Sequence, residues 1–480
     1  MKKAAAKILC IIMTAVLLAT SVIPSFAMSE DEWNTVWESA DAKAGLIMFA
    51  GSDESERGFT WYTESANTPE VLVSTDALMA DAVSFTGTSA KATDGDYANQ
   101  VTITGLENAT TYYYQCISGD YKSAVYSFTT ASSDGFKAVY MTDIHITADS
   151  EENPTSLFST SLNLNNTLED AFTRADDISL VLSAGDQGSD GLECEYKAFS
   201  ATPFFKSVAV STTIGNHDRK GAEYKTFANV PNEYEEAVIS SYIGDNYWFV
   251  KGNVLFLVID TNNASGADHK AFVDAAVKAN PGIKWKVMMA HHDLYSGRLP
   301  NRESENALLR MMMAPIVDEY GIDLVLLGHS HYYTVSDVLY NNKAVADFEA
   351  QMTDPAGSVY MVSCSINRPR DNEDIGLNDE IGFDYLTMEP VYNILTCTED
   401  SITVESYEVG AEAAFNSFTI TKTSAQGGRP EYKESYFTSI FNELVRKIGT
   451  IYALFNNIGR YSDLTEDGFD VNFFDCLLGR

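Results

Sequence analysis

Six of the seven histidines in this chain fall in a set of five short segments, each directly following an apolar run. Met141 leads into Asp143 and His145, and Ser183 into Gly185-Asp186-Gln187. Ile214 leads into Asn216-His217-Asp218, Met289 into His291-His292-Asp293, and Leu327 into His329-Ser330-His331. Short apolar runs of this kind read as buried strands. In layered α/β domains functional residues gather at the carboxyl ends of strands, so the pattern aims all five segments at one rim. A lone histidine at a strand end is commonly a structural hydrogen bonder, and Asp-x-His or Gly-Asp alone carries little. Five such segments in succession need a site to explain them.

The surroundings agree with a layered α/β domain. Apolar runs at 137–141, 179–183, 208–214, 254–259, 285–289 and 324–327 alternate with helical stretches at 157–175, 269–278 and 303–320. Further strand-like stretches at 358–364, 392–397, 402–409 and 416–422 provide a second sheet. In front, residues 40–132 contain seven candidate strands (45–50, 59–63, 71–74, 82–86, 100–104, 111–117 and 125–129), no helical period and no histidine. That pattern predicts an all-β sandwich. Its segment from Val101 to Tyr114 resembles the corner of a fibronectin type III-like module. The polar stretch 131–135 reads as a linker to a domain spanning 136–423. Beyond the loop at 424–430, Phe437, Ile440, Phe441, Leu444, Ile448, Ile451, Tyr452 and Phe455 recur at helical spacing, predicting a helical segment over 430–480 that docks on the domain. Asp463, Asp467 and Gly468 suggest a calcium loop, but Thr465 and Phe474 occupy ligand positions and exclude it.

Lys2, Lys3 and Lys7, an apolar run from Ile8 to Ile23 and the ending Ser25-Phe26-Ala27 predict a secretory signal peptide over 1–27. The chain is then secreted or held at the cell surface. A formal net charge of −36 repels nucleic acid and anionic membranes, so no nucleic acid partner is expected. The cysteines are sparse and form no C-x-x-C pair, which excludes both a disulfide framework and a cysteine zinc site. No G-x-S-x-G, P-loop or G-x-G-x-x-G segment is present.

The order D-x-H, G-D, G-N-H-D, a later histidine and G-H-x-H resembles the motif set of the calcineurin-like metallophosphoesterase superfamily over roughly residues 136–335. With the β module in front, the chain is most similar to the purple acid phosphatase-type branch. The resemblance implies a four-layer α/β/β/α domain and two divalent or trivalent transition metal ions, Fe, Mn or Zn, which also suits the mixed imidazole, carboxylate and amide set. It assigns Asp143, His145, Asp186 and His331 to one metal. Asp186, Asn216, His291 and His329 would hold the other, with Asp186 bridging. His217 would protonate the leaving oxygen or stabilise charge on the phosphoryl group, with Asp218 orienting its ring. His292 stands outside the ligand list, His269 reads as a surface residue, and Arg368 and Arg370 follow a strand from which they could reach phosphate.

The function implied is hydrolysis of small phosphate monoesters or diesters by a metal-bound hydroxide. The alternatives are a phosphodiesterase specific for nucleotides, glycerophosphodiesters or envelope polymers, or a cell-surface binding protein with an inactive scaffold, associated with the envelope through its terminal helix. Oligomeric state is open. The purple enzymes carry a metal-ligating tyrosine where this chain has Ser189, and their first motif lacks the equivalent of His145. The metal-loaded protein should therefore be colourless, and a visible charge-transfer band in its absorption spectrum would contradict this assignment.

Overall fold

In the computed structural model, which describes residues 27–132, 135–175, 177–237, 246–295, 303–370 and 379–433 together with 442–444 and 447, the apolar runs become strands of two large sheets. The front of the chain supplies β1 (Ile47–Ala50), β2 (Glu56–Thr63), β3 (Glu70–Ser74), β4 (Val83–Thr86), β5 (Thr88–Lys91), β6 (Tyr97–Thr104), β7 (Thr111–Ser118), β8 (Tyr121–Lys122) and β9 (Tyr126–Thr129). Next come β10 (Phe136–Met141), β11 (Ile178–Ser183), β12 (Ala209–Thr212), β13 (Tyr247–Lys251), β14 (Val254–Ile259), β15 (Trp285–Ala290) and β16 (Leu324–Leu327). The remaining strands are β17 (Tyr333–Ser336), β18 (Val338–Tyr340), β19 (Lys343–Ala346), β20 (Gln351–Thr353), β21 (Val359–Val362), β22 (Ile381–Tyr385), β23 (Val391–Cys397), β24 (Ser401–Glu408) and β25 (Asn416–Thr421).

The larger sheet runs β20-β25-β24-β23-β10-β11-β12-β1-β2-β6-β5, and the second runs β13-β14-β15-β16-β21-β17-β22. Strands β10, β11 and β12 are mutually parallel, as are β14, β15, β16 and β21. Parallel strands covered on both faces read as continuous apolar runs, which is why these segments lack polar alternation. In β10, Ala138 and Tyr140 enter a core shared with Phe256, Val287, Met289 and Leu326 of the second sheet. Val139 and Met141 point the other way, against Leu164, Leu168 and Ala171 of the helix Ser156–Arg174. Similarly Met288 and Ala290 of β15 meet Phe272 and Val273 of the helix Gly266–Ala279, and Met312 and Ile316 of the helix Glu303–Tyr320.

The front region is mostly β, but it is not a bead on a string. Strand β1 pairs in parallel with β12, Phe49 opposite Val210, so β1, β2, β6 and β5 continue the central sheet. The sheet therefore crosses the expected linker at 131–135. The strand pattern missed β5, whose Thr88–Lys91 segment is largely exposed and carries no apolar alternation. It also missed the helix Glu30–Trp37, started by Ser29 and Glu32 in a reciprocal capping box. The cysteines Cys116, Cys194, Cys364 and Cys397 are unbridged. Within the described residues, no helix is long and apolar enough to cross a membrane. Residues 1–26 of the expected signal peptide, the rejected calcium loop and nearly all of the terminal helical face lie outside the described residues.

Where the two halves meet, three charges are buried together. Glu54 bonds Arg57 at 2.6 Å, the Ala131 amide at 2.7 Å and the Lys251 ammonium, with Lys251 and Arg57 side chains each 4% exposed. Burial by itself would raise the Glu54 carboxyl, but Lys251 and Arg57 outweigh it and hold the group down at about 2. Burial lowers Lys251 to about 8, so both groups carry charge between about 2 and 8. Since the folded carboxyl lies below its unfolded value of about 4.3, its stabilisation is present above that value and vanishes as pH falls toward 2. Glu54→Gln leaves two buried cations without their carboxylate and should destabilise the fold at pH 7 by about 3–5 kcal/mol. Denaturant titrations between about pH 5 and pH 2 should show a flatter acid limb for the variant than for the wild type.

Candidate metal centre

The five segments sit at the carboxyl ends of β10, β11 and β12 in one sheet and β15 and β16 in the other. Each leaves its strand through a tight turn. Asp143, His145, Asp186, His329 and His331 all adopt the left-handed backbone region, with φ of 51°, 51°, 54°, 73° and 63°. Such conformations are costly for residues bearing a Cβ and concentrate at functional sites. Two glycines let the turns close: a Cβ on Gly215 would lie 2.0 Å from Asp186 Oδ1, and one on Gly328 would lie 2.0 Å from Thr142 Oγ1.

The side chains converge in two overlapping groups. In one, His331 Nε2 is 3.1 Å from Asp143 Oδ1 and 3.2 Å from His145 Nε2. In the other, His291 Nε2 is 3.1 Å from Asn216 Oδ1, 3.2 Å from His329 Nδ1 and 3.3 Å from Asp186 Oδ2. The same Asp186 Oδ2 is 3.7 Å from His145 Nε2, so this carboxylate stands between the groups. Asp143, His145, Asp186 and His291 are buried to within 1% of completely. All seven residues expected as ligands thus meet at one place.

The donor set fits cations on electronic grounds. His331 Nδ1 lies 2.6 Å from the Arg368 carbonyl and His291 Nδ1 lies 2.9 Å from the Ala184 carbonyl, so hydrogen bonding assigns the ring protons there. Each Nε2 then presents a lone pair to carboxylate or amide oxygen lone pairs at about the same short range. Such pairs repel unless a proton or a cation lies between them. The carbonyl acceptors also fix each ring's orientation, the usual support for a metal-binding imidazole. Asp143 Oδ1 and His145 Nδ1 are buried without a hydrogen-bond partner, though only the former faces the centre.

Electrostatics keep both carboxylates ionised. Burial acts to raise Asp186, but His291 outweighs it and holds the carboxyl at about 2. Asp143 is likewise held well below the usual range, burial being overcome by His331 and His291. Burial lowers His145 to about 3, so that ring is neutral. Three carboxylate–imidazole groupings have ligand atoms all within 4.8 Å of one another: Asp143, His145 and His331; His145, Asp186 and His217; and Asp143, Asp186 and His291.

His217 borders the centre, its ring centroid 4.7 Å from that of His145. The expectation that Asp218 orients this ring is not met. His217 Nδ1 lies 2.6 Å from the Ser189 carbonyl and 2.8 Å from Lys220 Nζ. The Asp218 carboxylate instead accepts from the Asp186, Gly188 and Gly215 amides at 2.7, 3.1 and 2.8 Å, and from the Tyr196 hydroxyl at 2.9 Å. It pins two ligand turns together. His269 is not a surface residue either: it is fully buried, 2.7 Å from the Asn263 carbonyl and 3.0 Å from Asn246 Nδ2. His292 lies behind the centre, Nδ1 2.8 Å from Thr261 Oγ1 and its ring 4.5 Å from that of His329.

Residues 136–333 match the family of calcineurin-like phosphoesterases, and residues 45–130 match the purple acid phosphatase N-terminal domain. The chain carries a calcineurin-like phosphoesterase domain behind a purple acid phosphatase N-terminal domain. Purple acid phosphatase 1 of Ipomoea batatas is 28% identical over 143 residues, spanning 27% of this chain and 30% of that relative. The phosphoesterase fold is shared with purple acid phosphatase PPD1 from yellow lupin (Lupinus luteus) seeds, at 16% identity and a TM-score of 0.64, covering 78% of this chain and 74% of that one. PhoD is similar at 12% identity and a TM-score of 0.53, covering 87% of this chain and 98% of that one.

Because Asp218 holds the turns and touches no candidate metal position, its loss tests the supporting structure. Asp218→Ala should weaken metal affinity of the phosphoesterase domain by about 10–100-fold in chelator competition. Undiminished affinity would show that the turns hold themselves.

Proposed function

We propose that this chain is an exported, binuclear metal-dependent phosphoesterase that hydrolyses small phosphate monoesters or diesters. The observation carrying this reading is the pair of close nitrogen–oxygen contacts at His331 and His291, joined through Asp186 Oδ2, which form two adjoining donor groups that two cations side by side would satisfy. Asp143, His145, Asp186 and His331 would hold one ion, and Asp186, Asn216, His291 and His329 the other. Bound there, two transition metal ions supply Lewis acidity to the phosphoryl group and to the attacking water. The layering expected of such an enzyme is supported by the core that the two sheets share and the helices covering their outer faces.

The chain's own residues contribute the proton. The Ser189 carbonyl 2.6 Å from His217 Nδ1 accepts that ring proton and stabilises the imidazolium, leaving Nε2 to deliver its proton to the leaving oxygen. Burial first, then Lys220 and Arg368, lower His217 against the opposing pull of Asp186, which makes the imidazolium a readier donor. The inactive-scaffold alternative requires lost ligands, and the full set is present. Export with cleavage near Ala27, and an envelope contact through 430–480, rest on the sequence pattern alone.

Elemental analysis of the purified mature protein should find about two metal ions per chain, with turnover of an aryl phosphate or a bis-aryl diester. Asp186→Ala should abolish both. His217→Asn should keep the metals and lower kcat by about 10²–10⁴-fold. A metal-poor wild type that stays inactive after reconstitution with Mn, Fe or Zn would sink the reading.

A further inference from the structure

The loop after β21 carries Arg368 to the edge of the metal centre and holds it there with unusual firmness. Ser365 Oγ donates to the Asp143 carbonyl at 2.6 Å and accepts from the Arg368 amide at 2.9 Å. Asn367 Nδ2 donates to the carbonyls of Ile144 at 2.7 Å and Thr160 at 3.1 Å, and its Oδ1 accepts from Asn163 Nδ2 at 2.9 Å. This loop is thus bonded to the turn that bears Asp143 and His145. The Arg368 carbonyl takes the His331 ring proton, while its guanidinium reaches back across the site to Ser189 Oγ at 2.9 Å and Thr147 Oγ1 at 3.5 Å. Ser189 is the same residue whose carbonyl meets His217.

The guanidinium is therefore fixed between a ligand of the first group and the proton donor. Among the described residues no carboxylate pairs with it, in contrast to Lys220, whose ammonium is 2.9 Å from Asp190. A guanidinium has five N–H donors, and here the described contacts use only Nη2. Holding an arginine in place costs side-chain entropy, a cost reduced when its planar fork has a matching anion. Its charge is felt at the centre, since it disfavours protonation of both His145 and His217.

We propose that Arg368 is the substrate-binding residue that favours phosphate monoesters over diesters, its guanidinium taking the anionic oxygen that a diester lacks. The proposal rests on the phosphoesterase reading above. A monoester dianion has three non-bridging oxygens sharing two charges, one anionic oxygen more than a diester offers to a donor on the protein. In a diester that position is an alkoxy group with neither the charge nor the need for a bidentate donor.

The test compares Arg368→Ala and Arg368→Lys with the wild-type holoenzyme on 4-nitrophenyl phosphate, bis(4-nitrophenyl) phosphate and inorganic phosphate. Loss of a charge-assisted contact predicts about a 10–100-fold fall in kcat/KM for the monoester. The diester value should fall at least about tenfold less than the monoester value, the lysine variant should lie between, and metal content should hold. Phosphate binding, measured by calorimetry, should weaken about tenfold in the alanine variant. Equal losses on both esters, an unchanged monoester rate, or a fall explained by lost metal would overturn the assignment. A wild type that turns over neither ester sinks the proposed activity, and Arg368 is then judged on phosphate binding alone.

Discussion

Two buried carboxylates hold the ligand turns in a backbone conformation that their residues would not adopt alone. Asp218 accepts from the Asp186, Gly188 and Gly215 amides, and Asp143 Oδ2 accepts from the His329 amide at 2.8 Å and the Thr142 hydroxyl at 2.8 Å. Left-handed backbone costs about 1–2 kcal/mol for each residue with a Cβ. A hydrogen bond to a charged acceptor returns about 1.5–3 kcal/mol, so each such bond offsets about one distorted residue. The Asp143–His329 contact also spans the two sheets, because these residues follow β10 and β16. Together with the bond between His291 Nδ1 and the Ala184 carbonyl it ties the two halves of the donor set to each other.

The rest of the architecture makes those turns rigid. Strands β10, β11, β15 and β16 are buried on both faces, so their ends cannot shift without disturbing three cores at once. The front region adds to this rigidity, since β1 extends the central sheet and the Glu54, Arg57 and Lys251 cluster ties the junction. The same closeness that confines the turns brings the Arg368 guanidinium onto Ser189, whose carbonyl meets His217.

Much of this was legible in sequence where the signal was local. The apolar runs and the donors that follow them are adjacent in the chain, so strands, their order and the seven ligand candidates could be read together. Helix positions at 157–175 and 303–320 fell within one residue of Ser156–Arg174 and on Glu303–Tyr320. Signals without local periodicity were missed: β5 is exposed, and the role of Asp218 depends on amides some thirty positions earlier. His269 sits beside Asp268 and Lys270, which suggested a surface, yet its helix face turns inward onto Asn246 and Asn263.

By itself the sequence determined that donors sit after strands, because residue type and hydrophobic run are both properties of the local chain. The tertiary structure alone decided that Asp186 stands between two groups, that Asp218 supports turns in place of His217, and that Arg368 bonds Ser189 beside that histidine. Each of these depends on which strand ends meet across two sheets, and that is set by burial of both faces at once, a property no single segment contains.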